Sequence, residues 1–557
     1  MTKLAATTRP TDDRRWWTLT VLCTSLILIT LDTTILNVAI PTLERSLETS
    51  TGQLQWIVDA YTVVFAGLLL TCGGLGDRFG RRRALSAGLV VFGIGCLASA
   101  LVTSADGLIA MRALTGVGAA LIFPATLSII TNAFTDPVER QKAIAVWAST
   151  AGIGIALGPL TGGILLEHFY WGAIFLVNLP IIALALLGAA FVVPESADPS
   201  HRRLDPLGAA LSVAGLGTLV YGVIRGGSDG WTDSVTAGAL AAGIVLVGVF
   251  IVHEARTPVP LLDVRVFRNP RFTGASVAVA ACYFALFGTI FLVTQHLQVL
   301  LGYGTLAAGI RTVPFAFALM VVANLTPRLV ARFGPRLLIA SGLLVVAVSQ
   351  LPRIASTPET GYDLIFIGQT MFAVGMGLLI APATASIMGS LPPARAGVGS
   401  AMNDTARQVG GALGVAVMGS VAAGAFRTDV EHRLAAGAVP GELVGRAGDS
   451  LGAALATARG AGGRMALVID DAGREAFIHG LRWASLVALA VALVGAAVAW
   501  RLLPGGTALS TPDAGRAAAG SIAPAGPATT ETEPTESRPL PTPTLEPAPQ
   551  TSNEAVA

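Results

Sequence analysis

The chain has 557 residues, 53% apolar and only 13% charged, where a soluble domain carries about a quarter charged residues, so its composition is that of a membrane protein. Spans of roughly 20 apolar residues cross a ~30 Å hydrocarbon layer, so this length holds many of them and leaves little for a large soluble domain. The 36 basic and 34 acidic residues leave a charge of +2 and exclude a nucleic-acid binder, and Cys23, Cys72, Cys96 and Cys282 lie in apolar runs without the paired spacing of a disulfide or metal framework.

Taken in chain order, the apolar runs predict six spans, over 17–40, 54–75, 84–104, 108–130, 143–166 and 172–193. A second pair, over 207–224 and 235–252, follows a polar stretch and reads as an insert. Six more follow, over 272–297, 306–329, 337–351, 364–388, 399–425 and 481–503, so about fourteen spans are expected. The predicted domains are a cytoplasmic tail (1–16), a first six-helix bundle (17–194), a two-helix insert with its flanking loops (195–271), a second six-helix bundle (272–503) and a disordered cytoplasmic tail (504–557). That tail is rich in Pro, Thr, Ala and Glu and too poor in large apolar residues to fold. One long loop, over 426–478, interrupts the second bundle and carries short Ala/Gly-rich helical patches. The first run is too long for a signal-peptide core and leads into Leu43-Glu44-Arg45 without a cleavage site, so it stays as a span.

Arg78, Arg81, Arg82, Arg83, Arg140, Lys142, Arg202, Arg203, Arg256, Arg265, Arg268, Arg271, Arg328, Arg332, Arg336 and Arg395 fall in alternate loops on one side, against Arg45, Arg225 and Arg353 in the short loops opposite. The positive-inside rule then places both termini in the cytoplasm.

Four motifs stand out. The loop after span 2 reads Gly73-Gly74-Leu75-Gly76-Asp77-Arg78-Phe79-Gly80-Arg81-Arg82-Arg83; arginines serving topology alone do not explain the fixed spacing of Gly73, Asp77 and Gly80. Span 4 carries Arg112-Ala113-Leu114-Thr115-Gly116-Val117-Gly118, and an arginine that far along a helix needs a partner. Span 5 holds Gly154, Gly158 and Gly162 at four-residue intervals with Pro159 and Gly163, a face made for close helix packing. Span 1 reads Leu31-Asp32-Thr33-Thr34-Ile35-Leu36-Asn37-Val38-Ala39-Ile40-Pro41.

On these residues the chain resembles the major facilitator superfamily, and within it the fourteen-span drug:proton antiporters of the quaternary-ammonium and multidrug efflux type. The resemblance runs from Trp17 to Leu503 and includes Gln295 to Gln298, Leu301-Gly302-Tyr303, Ala308-Gly309-Ile310-Arg311 with Pro314, and Gly399-Ser400-Ala401-Met402-Asn403. It departs from the family after span 5, where Trp171-Gly172-Ala173-Ile174-Phe175 lacks the arginine usual there. The loop Arg332-Phe333-Gly334-Pro335-Arg336 is a weak echo of the span 2–3 loop, as expected of repeated halves. The resemblance implies an all-α integral membrane fold of two six-helix bundles with two extra helices between them. It also implies a span 2–3 loop that gates the inner side (Gly73, Asp77, Arg78, Gly80, Arg81), a span 5 motif tied to export (Gly154, Gly158, Pro159, Gly162, Gly163), and proton transfer at Arg112.

Asp32, Asp59, Arg112 and Asp404 are the candidate proton-coupling residues. Two readings of Asp32 stand: a proton carrier tuned by burial and by Arg112, or half of a static ion pair. Asp59 is either a coupling acid or an interfacial carboxylate that stays wet. Asp404 either titrates or pairs with Arg407 three residues on, and Asp77 can dock at the start of the Asp404 helix. Tyr283, Phe287, Gln295, Arg311 and Arg407 are candidates for the substrate cavity, with lipid or helix packing as the competing role for the aromatics. His296 is expected to be a packed hydrogen-bonder, and the two extra helices to take a peripheral packing or lipid-facing role.

The expected activity is proton-coupled export of drugs, antibiotics or other amphiphilic small molecules by alternating access in the inner membrane of a bacterium; the alternative is a proton-coupled importer of a metabolite on the same fold. No phosphate-binding Gly-x-x-x-x-Gly-Lys-Ser/Thr occurs, so ATP is excluded as the energy source. No nucleophile, base and orienter stand at readable spacing, so an enzyme is not expected, and neither is a cofactor or a metal. The expected partners are the substrate, protons and the lipid bilayer.

Overall fold

Apolar runs this long cannot leave backbone amides unpaired in hydrocarbon, and helices satisfy them internally. The computed structural model describes residues 12–197, 205–258, 260, 264–391, 396–437 and 439–505, and its regular structure is helical throughout those residues. The tail over 506–557, residues 1–11, Arg202, Arg203 and Arg395 lie outside them.

The first bundle comprises α1 (Asp12–Leu47), α2 (Thr51–Phe79), α3 (Arg81–Leu101), α4 (Ala105–Ala133), α5 (Pro137–His168), and the short α6 (Ala173–Leu176) with α7 (Asn178–Phe191). The expected single span over 172–193 is thus two helical pieces meeting at Val177. The insert is α8 (Pro206–Asp229) and α9 (Ser234–Arg256). The second bundle comprises α10 (Pro270–Gln295), continued by a π-helical turn (His296–Leu300), α11 (Thr305–Phe333), α12 (Pro335–Val348) with the one-turn α13 (Leu351–Ile354), and α14 (Tyr362–Met388). It is completed by α15 (Ala396–Ala436), α16 (Gly441–Ala447), α17 (Leu451–Ala461) and α18 (Gly463–Leu502).

Twelve helices among the described residues are long and apolar enough to cross a membrane. The bent α2, with Thr51–Leu69 and Thr71–Phe79 set at 54°, makes thirteen. The 32-residue α5 stands outside that tally. The loop expected over 426–478 is mostly helical: α15 runs to Ala436 and α18 starts at Gly463, with α16 and α17 between them. Its charged residues pair at helical spacing, Arg433 with Asp429 and Arg474 with Asp470, which lets polar helices extend beyond the apolar stretch.

Helix starts follow capping chemistry. Ser50 and Gln53 form a capping box on α2, Ser104 accepts from Gly107 N on α4, and Asp205 accepts from Gly208 N at 2.8 Å on α8. Gly80, at φ 112°, reverses the chain between α2 and α3, a conformation that glycine adopts without a Cβ penalty.

Within the first bundle α4 packs on α2 and α3, and α1 on α5; within the second, α10 packs on α15 and α12 on α14. Small residues set these approaches: a Cβ at Gly118 would stand 2.6 Å from Phe92 N, and one at Gly116 2.6 Å from Tyr61 O. The insert divides its labour. In α9, Ile244 and Val245 are exposed, as on a lipid-facing helix. In α8, by contrast, Val220 and Ile224 are buried with Val63 and Ala66 of α2 and Ala412 and Ala416 of α15. The expectation of a peripheral role therefore fails for α8, whose apolar face fills the seam between the bundles.

Candidate functional site

Asp32 on α1 and Arg112 on α4 are 0% and 1% exposed, and Arg112 Nη1 lies 2.6 Å from Asp32 Oδ2. The other carboxylate oxygen accepts from Asn178 Nδ2 at 3.0 Å. Arg112 Nε donates to Ile57 O at 3.3 Å, and its guanidinium stands 4.5 Å from the centre of the Tyr61 ring. A buried charge pair survives only when its remaining hydrogen-bonding capacity is also met, and α2 supplies the carbonyl and the aromatic face, and α7 the amide, that serve it here. Asn178 is a site residue that sequence reasoning passed over. It opens α7 just after the break at Val177, and that break is what turns its amide toward Asp32.

Of the two readings left open for Asp59, its burial rules out the wet interfacial carboxylate. It is 0% exposed, and its carboxylate has no partner beyond the neighbouring Thr62 hydroxyl. One turn away on α2, Gln55 accepts from Ser420 Oγ of α15 at 3.4 Å. One turn the other way, Val63 sits in the seam with α8 and α15. By helical spacing Asp59 therefore belongs to the face that α2 turns to the second bundle, while Ile57 and Tyr61 belong to the face on α4.

The α5 motif serves two interfaces. Cβ atoms at Gly154 and Gly158 would collide with Thr30 and Thr34 of α1, and one at Gly162 would stand 2.9 Å from Ile35. The threonines flank Asp32, and Thr34 Oγ1 donates to Gly154 O at 3.3 Å. Gly163 faces the other bundle, where a Cβ would lie 2.7 Å from Leu306 Cα of α11, and Gly309 of α11 packs against Pro159 O. Thr305 Oγ1 donates to Gly163 O at 3.2 Å, and Gln298 Nε2 to Val38 O at 2.8 Å.

These bundle-to-bundle contacts gather at the end opposite the Gly73–Arg83 loop. The α17 start joins them there: Ser450 Oγ donates to the buried Glu44 of α1, and Thr51 Oγ1 donates to Asp449 O at 3.0 Å. A Cβ at Gly452 would stand 2.8 Å from Glu44 Oε1.

At the loop end, Asp77 pairs with Arg81 at 2.9 Å and is not joined to α15 by any hydrogen bond or ion pair among the described residues; the side chains of the first residues of α15 lie outside those described. Arg81 also reaches Ser128 O of α4 at 3.4 Å, and Gly73 packs on Pro124. Arg78 is exposed and lies over the Phe79 ring. The partner that sequence reasoning missed is Glu195, just after α7. It accepts from Arg82 N at 3.1 Å, lies 3.8 Å and 3.7 Å from Arg82 and Arg83, and fills the space that a Cβ at Gly80 would need.

The expected cavity residues separate into three places. Tyr283, Phe287, Asp404 and Arg407 come together: Arg407 lies 3.7 Å from Asp404, 5.5 Å from the Tyr283 ring centre and 3.3 Å from Thr384 Oγ1, and Tyr283 stacks near Phe287 at 6.1 Å. Arg311 stands apart, clamped between Tyr303 (3.8 Å) and Tyr362 (5.5 Å). Gln295 donates to Phe291 O of its own helix at 3.4 Å. Neither joins the Arg407 group, because Arg311 leaves α11 toward the aromatic pair and Gln295 turns back on its own backbone. Arg353, expected in a loop, is buried in α13, and His296 is 0% exposed with neither ring nitrogen hydrogen-bonded, against the expected packed hydrogen-bonder.

Two helical bundles joined by glycine-mediated contacts, with a buried ion pair in one of them, have the architecture of a multi-pass membrane transporter. Residues 22–415 match the Major Facilitator Superfamily, and the chain belongs to that family. It is 37% identical to the multidrug efflux pump LfrA of Mycolicibacterium smegmatis over 88% of this chain and 97% of that protein. It is 34% identical to the methyl viologen resistance protein SmvA of Salmonella typhimurium over 86% of this chain and 95% of that one. The tetracenomycin C resistance and export protein of Streptomyces glaucescens is 30% identical over 87% and 91%. Among solved structures, a bacterial homologue of the human lysosomal transporter Spinster superposes with a TM-score of 0.61 at 17% identity, covering 88% of this chain and 98% of that one, which supports the fold alone.

Proposed function

We propose that this chain is a proton-driven exporter of drugs or antibiotics of amphiphilic character, working by alternating access in a bacterial inner membrane. The observation that carries the proposal is the contrast between the two buried acids of the first bundle: Asp32 held by the Arg112 charge and the Asn178 amide, and Asp59 with no counter-charge and no partner beyond the neighbouring Thr62 hydroxyl. An unpaired ionised carboxylate is very costly to bury, so Asp59 is the acid whose burial a transported proton would relieve, while Asp32 already has a counter-charge in Arg112. Asp404, beside Arg407, is a third coupling position from the second bundle.

Relatives named for multidrug efflux, viologen resistance and tetracenomycin export support export over import. The arginine-rich loops favour the Gly73–Arg83 end as cytoplasmic, with both termini there. The contacts among α1, α5, α11 and α17 then close the outer side, and opening it means parting Gly163 from Leu306 and Glu44 from Ser450. The Asp77–Arg81 loop, tied to Glu195, is the inner gate. The Tyr283, Phe287, Asp404 and Arg407 group offers aromatic faces and an acid to a cationic amphiphile. Energy comes from the proton gradient, with no bound cofactor and no ATP.

The test is efflux of a fluorescent lipophilic cation from cells expressing the protein, with and without an uncoupler, for wild type, Asp32→Asn and Asp59→Asn at matched expression. Extrusion abolished by the uncoupler and by both substitutions supports the proposal. Uncoupler-resistant extrusion refutes proton drive, and extrusion that survives both substitutions moves coupling to Asp404.

A further inference from the structure

The insert helices α8 and α9 pack side by side, and where the start of one meets the end of the other they bring together three side chains that the export proposal does not use. Asp205 stands immediately before α8, and His253 and Glu254 lie in the last turn of α9. Asp205 and Glu254 are 8% and 2% exposed, and the His253 side chain is 25% exposed. His253 Nε2 lies 2.7 Å from Asp205 Oδ2. A Cβ at Gly208 would stand 2.5 Å from Glu254 Oε1 and 2.9 Å from Asp205 Oδ2, so both oxygens border the one gap that this glycine leaves open. A ring nitrogen of His253 and one oxygen of each carboxylate all lie within 4.8 Å of one another.

The two oxygens of Asp205 have separate tasks. Oδ1 accepts from Gly208 N at 2.8 Å and caps α8, which leaves Oδ2 directed at His253. Thr257 Oγ1, which donates to His253 O at 2.8 Å, lies 3.2 Å from the same imidazole nitrogen. A ligand carboxylate fixed in this way through its second oxygen is the usual support of a metal site. The His253–Asp205 hydrogen bond explains the 2.7 Å separation, but it does not call for a second buried carboxylate at the same gap. Two carboxylate oxygens and an imidazole nitrogen are together a donor set for first-row divalent ions of the zinc type, whereas magnesium and calcium prefer oxygen alone. Ligand atoms about 2.0–2.2 Å from zinc stand roughly 3–3.5 Å apart, so these side chains reach that geometry with shifts of about 1 Å.

We propose that Asp205, His253 and Glu254 bind one zinc-type divalent ion, which clamps the start of α8 to the end of α9. The ion takes the place of the proton shared by His253 Nε2 and Asp205 Oδ2, and that proton leaves to solvent. Water completes the coordination on the exposed edge of His253. Because α8 carries the residues that fill the seam between the bundles, the ion fixes the hairpin whose inner helix lies against both. Asp205 lies 48 residues before His253, a separation that matches no metal-ligand motif, and only the α8–α9 hairpin brings the two together; hence the expectation of no metal from the sequence. The site shares no residue with the proton-coupling acids, so it stands or falls independently of the export reading.

The full-length protein, purified in detergent without a polyhistidine tag and stripped with a chelator, is titrated with zinc, manganese or magnesium chloride. Its thermal unfolding midpoint is followed, and bound metal is counted by elemental mass spectrometry after desalting. A saturable rise with zinc at one ion per chain, absent with magnesium and lost in both His253→Gln and Glu254→Gln, is the expected result. No rise, an equal rise with magnesium, or a rise that survives both substitutions overturns the proposal, and a rise with manganese alone overturns the choice of zinc. Should the variants fail to fold, crystals of the wild type grown with zinc decide the matter: an anomalous peak at the zinc edge among Asp205, His253 and Glu254 supports the site, and its absence refutes it.

Discussion

Replacing Asp32 by Asn removes the charge but keeps the shape, and leaves Arg112, 1% exposed, with a neutral amide oxygen, the Ile57 carbonyl at 3.3 Å and the Tyr61 ring at 4.5 Å but no counter-charge. Breaking a buried pair in this way costs about 3–5 kcal/mol, or roughly two to three and a half decades in the folded-to-unfolded ratio. Arg112→Gln strands the carboxylate instead, with only the Asn178 amide left on it, and is expected to cost about as much. The double variant Asp32→Asn/Arg112→Gln buries no charge, so it should lose much less than the two single costs added together. Asp59→Asn is the contrast: equally buried, it has no ion pair to lose and no partner beyond the Thr62 hydroxyl, which an amide can also meet, and its stability cost should stay below about 1 kcal/mol. Equilibrium unfolding of the four variants and the wild type in one detergent measures all of this, and efflux assays on the same proteins show whether Asp59→Asn, though stable, is uncoupled. If Asp59→Asn destabilises as much as Asp32→Asn, or if the double variant costs the full sum, the division into a paired and an unpaired acid is wrong.

Gly158→Val should force α1 from α5 by driving a branched side chain into Thr34, costing about 1–3 kcal/mol and most of the efflux; Gly248→Ala, where nothing lies within 4 Å, is the control expected to change neither. Glu195→Ala should free the α2–α3 turn, which amide exchange at Arg81 and Arg82 would reveal as faster opening, while Glu195→Gln keeps the acceptor for Arg82 N and should change exchange far less. Asp233 caps α9 by accepting from Val235 N and Thr236 N, and the Thr236 amide foremost, with the neighbouring Arg225, holds its carboxyl below the ordinary carboxylate range. Its contribution is therefore complete above the unfolded-state value and lost as pH falls through the depressed folded one. Exchange at the start of α9 should quicken only in strong acid for the wild type, and at neutral pH already for Asp233→Ala.

The fold was legible because its signals are local. Apolar runs and the glycine-bearing turn at Gly80 act within a few residues, and the need of Arg112 for a partner followed from the cost of burying its charge alone. What was hidden depends on which helix face meets which. Asp59 looks interfacial by its distance from the helix start, yet the α2 face it occupies is covered by α15 and α8. Arg353 looks like a loop arginine until α13 folds it inward. Glu195 and Asn178 are ordinary polar residues in sequence, and only the return of the chain past α3 and the break before α7 bring them to Arg82 and Asp32. The length of α15 and α18 was missed because their polar extensions are stabilised by ion pairs one helical turn apart, which apolar runs do not report.

The α5 motif ties these parts into one mechanical unit. Gly154 and Gly158 seat Thr30 and Thr34, the residues two before and two after Asp32, so α1 at the ion pair cannot shift without carrying α5 or losing that contact. One turn along, Pro159 and Gly163 hold Gly309 and Leu306 of α11, where the two bundles meet. Close-packed interfaces of this kind move between discrete arrangements and do not deform continuously. On the proposed mechanism, a change in the charge of Asp32 acts through one tightly packed helix pair on the contact between the bundles. A stripe of glycines at four-residue spacing, which alone would mean only a tight crossing, here has one edge beside the Asp32–Arg112 pair and the other on the contact between the bundles.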